Sequence, residues 1–276
     1  MKAHLLIFAA VLLVPCWTKP TKPKPGASAS QPGPSASQNL NSIKLDEAPE
    51  SVDADYRDCP NDMETQVENK YFENENEKGG DFERYWSHRT ITECLNKGNN
   101  VLTKNQRQAI CLYTSKYIAK EFNKAVRTSK NIYGTSSFKF HCLHYWLTTA
   151  IQKLNEIQKT EDCPITYRRS KDIFTGKEKD IIRFGEFASS STRQDLTKYG
   201  SETCFKITTC SGASVEDYSI YPDEKEVIIP PYETFKITST DGKRQGALSD
   251  CKKLYVLKSA GEQSKLKCKL ARQSES

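Results

Sequence analysis

Hydrophobic positions along this chain fall into three regimes. The first is one unbroken apolar run, Leu5 to Val14, preceded by Lys2 and His4 and followed by Pro15 and Cys16. That layout predicts a secretory signal peptide over residues 1–19, removed from the mature protein. The run is about half of the roughly 20 residues a spanning helix needs, and no later segment approaches that length, so no transmembrane helix is expected. The chain ends Lys267-Cys268-Lys269-Leu270-Ala271-Arg272-Gln273-Ser274-Glu275-Ser276, without the apolar tail of a lipid-anchor signal. A secreted protein with no membrane anchor is therefore expected. From Pro20 onward apolar positions almost vanish among Pro, Lys, Ser, Ala, Gly and Gln. This predicts a Pro/Ser-rich flexible linker over 20–51 and a folded part that starts near Val52 and runs to 276.

The second regime, between Cys59 and Gln158, has helical spacing. Leu143, Leu147, Ala150 and Leu154 recur at three- and four-residue steps, and Ala109, Tyr113 and Tyr117 with Val126 form a similar stripe over Asn105 to Arg127. In the third, from Cys163, short β-forming runs are broken by Gly, Pro and Asp: Cys163–Arg168, Ile181–Ala188, Thr203–Cys210, Glu226–Ile229, Tyr232–Thr238 and Lys253–Lys258. Helices first and strands second predict an α+β fold rather than a wound βαβ sheet. No internal repeat is present.

Composition narrows the class. With 36% hydrophobic residues, 10% aromatic residues and a mean hydropathy of −0.70 over 276 residues, one folded domain with appendages fits, while a multi-span membrane protein does not. A net charge of +6 without a long basic block gives no ground for nucleic-acid binding. Of ten cysteines, Cys16 leaves with the signal peptide, and the odd remainder of nine implies mostly paired thiols in an oxidising compartment. There is no C-x-x-C pair, and His141-Cys142-x-His144 reads as part of a helix, so no metal is expected.

Familiar catalytic patterns are missing. The thirteen glycines form neither G-x-G-x-x-G nor a P-loop, so side chains would have to hold any phosphate, and no G-x-S-x-G elbow supports a hydrolase triad. Three β-rich segments instead carry reactive groups: Thr166-Tyr167-Arg168-Arg169, Phe187-Ala188-Ser189-Ser190-Ser191, and Glu224-Lys225-Glu226. On a strand, residues two apart project to one face about 6.5–7 Å apart, so Glu224 and Glu226 are expected side by side with Lys225 turned away. Two carboxylates facing one cleft repel each other unless a cation joins them, which marks the pair as a candidate site.

In this order the residues resemble the Arg…Ser…Glu-x-Glu signature of the arginine-specific mono-ADP-ribosyltransferases, the vertebrate ecto-enzymes and their bacterial toxin relatives. Further blocks extend the resemblance over about Val52 to Cys268. They are Tyr113-Thr114, Glu121 to Arg127, Phe140-x-x-x-His144, Cys163-x-x-x-Tyr167-Arg168, Arg183-Phe184-Gly185, Thr209-Cys210-x-Gly212 and Glu226 to Glu233. The resemblance implies a helical N-terminal part beside two β-sheets that form a cleft for NAD, with NAD as co-substrate and no metal. It also implies disulfides Cys163–Cys210 and Cys59–Cys268. Cys94, Cys111, Cys142, Cys204 and Cys251 are extra, and Cys111 with Cys142 would cross-link two neighbouring helices, a pairing sequence cannot assign.

By the same resemblance, Arg168 anchors the NAD diphosphate through bidentate donors. Glu226 stabilises the oxocarbenium-like ribose as nicotinamide leaves. Glu224 meets the acceptor guanidinium and takes its proton. Ser189 orients Glu226 and the ribose. The family usually has Gly after its Arg; here Arg169 follows, so either could enter the cleft. Glu186 stands where the family often carries Gln, and a carboxylate near the NAD phosphates weakens binding unless it turns aside. Tyr113 either borders NAD or packs as a wall aromatic. The expected function is a secreted, monomeric enzyme that transfers ADP-ribose from NAD to arginine side chains of extracellular or lumenal proteins. The rival readings are an NAD glycohydrolase and an inactive binding module.

Overall fold

The computed structural model describes residues 42–77 and 80–272, and the expected signal peptide and residues 20–41 of the linker lie outside them. Helices precede strands, as the pattern requires. The helical part contains α1 (Pro60–Gln66), which a π-turn over Val67–Tyr71 joins to α2 (Phe72–Glu75), then α3 (Asp81–Trp86), α4 (Arg89–Cys94), α5 (Lys104–Thr114), α6 (Ala119–Thr128) and α7 (His141–Gln158). A short α8 (Lys269–Arg272) closes the described chain.

Each helix end has a local cause. Thr103 and Gln106 form a reciprocal capping box that starts α5. At the start of α7 the cap comes from another helix: the Glu75 carboxylate accepts from the backbone N–H groups of His141 at 2.7 Å and Cys142 at 3.0 Å, where an anion also favours the helix dipole. Residues His141 to Thr148 are all buried, so α7 is the central helix of the core rather than a surface helix with one apolar face. His144 bridges the Tyr56 hydroxyl at 2.7 Å and the Val52 carbonyl at 3.0 Å, and burial lowers its pKa to about 3, so it is neutral and structural. The expected stripe over Asn105 to Arg127 is broken: Lys116 adopts a left-handed φ of 68°, the chain turns between α5 and α6, and Tyr117 is exposed, stacking on Tyr85.

The strands are β1 (Ile43–Lys44), β2 (Ile165–Ser170), β3 (Phe174–Thr175), β4 (Ile181–Ile182), β5 (Ala188–Ser191), β6 (Thr203–Thr208), β7 (Ala213–Ser214), β8 (Glu226–Ile229), β9 (Glu233–Ser239) and β10 (Lys253–Glu262). β1 and β3 pair in parallel, and the rest form one mixed sheet in the order β4-β9-β10-β6-β2-β5-β8-β7. The two sheets expected to frame the cleft are thus continuous, but only through the single residue pair Tyr167 with Ser191 between β2 and β5. The run Ile181–Ala188 is two strands instead of one. Gly185, at φ 69°, turns the chain between them beside Ala48, whose Cβ would lie 2.4 Å from any Cβ added there.

The folded part begins by Ile43 rather than near Val52. Leu45 is buried, and Arg183 donates to the carbonyls of Glu47 at 2.7 Å and Ala48 at 3.0 Å and to the Asp53 carboxylate at 2.5 Å. Backbone pairing and one buried arginine hold a polar segment that hydropathy reads as linker. Among the described residues, four disulfides join Cys59–Cys268, Cys94–Cys111, Cys163–Cys210 and Cys204–Cys251. The first and third are those the resemblance implies. Cys111 pairs with Cys94 and not with Cys142, which is buried and free.

Candidate active site

Beyond the pair Tyr167 with Ser191, β2 and β5 part, and their edges wall a cleft at the seam of the sheet. The cavity, about 190 Å³, is lined by Tyr167, Arg168 and Arg169 of β2, by Ser189, Ser190 and Ser191 of β5, by Glu224 and Glu226, and by Lys116, Arg193, Leu196 and Tyr199 from loops. Arg168, Ser189, Glu224 and Glu226, far apart in the chain, therefore share one pocket.

The carboxylates converge by a different route from the one their spacing predicts. Glu224 ends a 3-10 turn (Pro222–Glu224), Lys225 is left-handed at φ 45°, and Glu226 opens β8. A turn, not the strand pleat, aims both acids at the cleft. Ser191 fixes that turn by donating to the Glu224 carbonyl at 2.6 Å, while Ser190 donates to the Val227 carbonyl at 2.9 Å.

Burial gives the two acids opposite characters. Glu226 is buried, and its pKa is pushed up to about 6, first by desolvation and further by the Glu224 charge; the Ser189 hydroxyl and the charges of Lys116 and Arg168 oppose the rise. For Glu224 burial also favours the neutral acid, but hydrogen bonds from Lys198, Tyr199 and Lys116 win and hold it below its ordinary value. Lys198 Nζ lies 2.7 Å, the Tyr199 hydroxyl 2.6 Å and Lys116 Nζ 3.1 Å from Glu224 Oε1.

The adjacent arginines differ in what they have left to give. Arg169 is buried and spent: it donates to Gln194 O at 3.0 Å, Gly200 O at 3.2 Å, both Asp250 oxygens at 2.9 Å and Ala247 O. Arg168 donates to Ser189 O at 2.7 Å and only weakly, at 3.5 Å, to Glu186, and its buried Nε has no hydrogen-bond partner among the described residues.

Of the residues expected to meet NAD, Tyr113 and Glu186 do not line this cleft. Tyr113 is buried one layer behind it, donating to Phe187 O at 2.5 Å, accepting from Asn123 at 3.2 Å and lying 3.4 Å from Ser189 Oγ. Glu186 turns aside into ion pairs with Arg127 and Arg168 and lines the neighbouring grooves. Sequence reasoning missed Lys116, Lys198 and Tyr199. The first lies two residues past the Tyr113-Thr114 block, but a lone lysine on a polar stretch carries no signal of its own.

Comparison with known proteins bears on the fold and the family. The sequence model of NAD:arginine ADP-ribosyltransferase matches residues 45–254. Mouse ecto-ADP-ribosyltransferase 4 is 33% identical over 240 residues, 83% of this chain and 77% of its own length. The chicken erythroblast NAD(P)(+)--arginine ADP-ribosyltransferase is 29% identical over 267 residues, 92% of this chain and 83% of its own. Among solved structures, the eucaryotic mono-ADP-ribosyltransferase ART2.2 superposes with a TM-score of 0.68 at 27% identity, covering 82% of this chain and 98% of that one. A mutant of ART2.2 in complex with NADH gives 0.66 at 28% identity with the same coverage. The chain thus belongs to the NAD:arginine ADP-ribosyltransferase family.

Proposed function

We propose that this protein transfers ADP-ribose from NAD to arginine side chains of proteins and releases nicotinamide. The observation that carries this reading is the convergence in one cleft of Arg168, which has unused donors, with Ser189 and two carboxylates in different protonation environments. Arg168, not the fully engaged Arg169, holds the NAD diphosphate. The bond between nicotinamide N1 and ribose C1′ breaks with its electron pair leaving on nicotinamide. Glu226, oriented by Ser189, stabilises the positive charge left on the ribose from a buried position. A guanidino nitrogen of the acceptor then bonds to C1′, and the proton it sheds passes to Glu224 and on to solvent. Tyr113 and Asn123 act from behind, fixing β5 and hence Ser189.

Four disulfides among the described residues favour the oxidising compartment that the leader peptide implies, so the enzyme is secreted and its acceptors are extracellular or lumenal proteins. All the groups invoked come from one chain, and a monomer suffices. The deciding assay incubates the mature chain with labelled NAD, with and without a soluble guanidine acceptor. Label on the acceptor together with nicotinamide release is the expected result. Release without labelling makes it a glycohydrolase, and neither output makes it a binding module.

A further inference from the structure

The acceptor end of the cleft is already occupied by cations of the chain itself. Two ammonium groups, Lys198 Nζ at 2.7 Å and Lys116 Nζ at 3.1 Å, and the Tyr199 hydroxyl close on the one carboxylate of Glu224. Lys116 also bonds the Tyr199 hydroxyl and sits 4.9 Å and 4.6 Å from the ring centroids of Tyr199 and Tyr221. Its left-handed backbone, φ 68°, fixes where that side chain starts. Of the other cations of the cleft, Arg169 pairs with Asp250 and Arg193 with Asp195, while Arg168 shares Glu186 with Arg127. With Lys116 and Lys198 set against Glu224 and the deeper Glu226, this corner has no spare acid for a third cation.

A guanidinium reaching Glu224, whose Oε1 already takes both ammonium groups, brings three cations onto Glu224 and the deeper Glu226. Like charges a few ångströms apart in a half-buried site repel by about 1–4 kcal/mol. Asp223, the nearest further acid in the chain, is exposed and stands beside Arg193. With the NAD diphosphate held at Arg168, an anion beside the target arginine is what relieves the repulsion at the acceptor end. Lys198, whose side chain is 60% exposed, is free to swing from Glu224 to a carboxylate next to the target arginine.

We propose that Lys116 and Lys198 are specificity-determining residues of the acceptor step and select arginines that have an acidic residue beside them. The inference deepens the transferase reading and rests on it. Arginines flanked by neutral or basic residues meet the lysine pair as a barrier and leave more of the activated ribose to water.

The test uses three peptides of equal length with a single arginine flanked by Asp, Gly or Lys, measuring label transfer from NAD and, in the same tubes, nicotinamide release. The Asp-flanked peptide should exceed the Gly-flanked one about fivefold in kcat/KM at low salt, mainly through KM, with the Lys-flanked peptide last. This ranking should compress as added salt shortens the Debye length to about 3 Å near 1 M. The double variant Lys116→Gln, Lys198→Gln should flatten the ranking by improving use of the Gly- and Lys-flanked peptides. The salt series on the unaltered chain reads the same charge without any substitution. Equal use of the three peptides at low salt, or a ranking indifferent to salt or retained in the double variant, overturns the inference while leaving the transferase reading intact. Absence of both label transfer and nicotinamide release overturns both.

Discussion

Glu226 shows how burial sets the charge of one residue. Its folded pKa of about 6 lies above the ordinary 4.5, so the fold prefers the protonated acid. The stabilisation from protonation is fully present below pH 4.5 and is lost as pH rises through about 6. At neutral pH the ionised group therefore costs about 2 kcal/mol. Glu226→Gln removes that charge, and its thermal midpoint should exceed that of the unaltered chain at pH 7, with the gain fading toward pH 4. Nicotinamide release should meanwhile fall by about 10³-fold, the scale set by removing one group that stabilises transition-state charge. The pH–rate profile follows from the same titration: nicotinamide release should decline about tenfold per unit below pH 6 as Glu226 protonates, and a flat acid limb would contradict its role. Glu224→Gln should lower transfer to a guanidine acceptor by about 10²-fold yet spare part of the hydrolysis, measured as nicotinamide release without acceptor. Equal, mild losses from both substitutions would dissolve the division of labour.

Among the elements, β2 carries both kinds of arginine on neighbouring residues. Arg169→Ala strands the carbonyls of Gln194, Gly200 and Ala247, and should cost about 3 kcal/mol in denaturant unfolding. Arg168→Ala removes a half-buried side chain with two modest partners. It should unfold nearly like the unaltered chain but raise the KM for NAD by tenfold or more. If the two variants swapped these outcomes, Arg169 would be the NAD anchor. Neighbouring arginines cannot be told apart from sequence, because what distinguishes them is which distant carbonyls the fold brings near. The same limit applies elsewhere. Helix α7 was legible from Leu143, Leu147, Ala150 and Leu154 because its core contacts repeat locally. The strand β8 was legible as a β-forming run, Glu226–Ile229, and the pairing of Cys163 with Cys210 through the resemblance. The corner at Lys116, the break at Gly185 and the docking of Ile43 and Leu45 were not, since each depends on backbone torsions or on partners more than a hundred residues away. Glu224 and Glu226 were placed together correctly for a reason the left-handed Lys225 replaces.

At the scale of the molecule, two of the four disulfides among the described residues contrast: one ties Cys59, before α1, to Cys268, before α8, and one supports the cleft. Cys59–Cys268 closes a separation of 209 residues, and loop entropy assigns it about 5 kcal/mol. The segments it joins are also held by Asp53, which accepts from the backbone of Lys265 and Leu266 and pairs with Arg183, so local order there outlasts the covalent link. Cys204–Cys251 spans only 47 residues and is assigned about 4 kcal/mol. It nevertheless anchors the segment bearing Ala247 and Asp250, the residues that hold Arg169 and so keep β2 in place at the seam. Replacing each pair by serines should therefore separate stability from rate. Loss of Cys59–Cys268 should give the larger drop in unfolding free energy with NAD cleavage by the folded fraction nearly intact. Loss of Cys204–Cys251 should give the smaller drop but a several-fold loss of kcat, partly restored by an acceptor-independent stabiliser such as sulfate, which favours the compact state. Denaturant titration and nicotinamide release on the same preparations check this. If both variants lose rate only in proportion to their unfolded fraction, β2 does not depend on the Asp250 segment for its position.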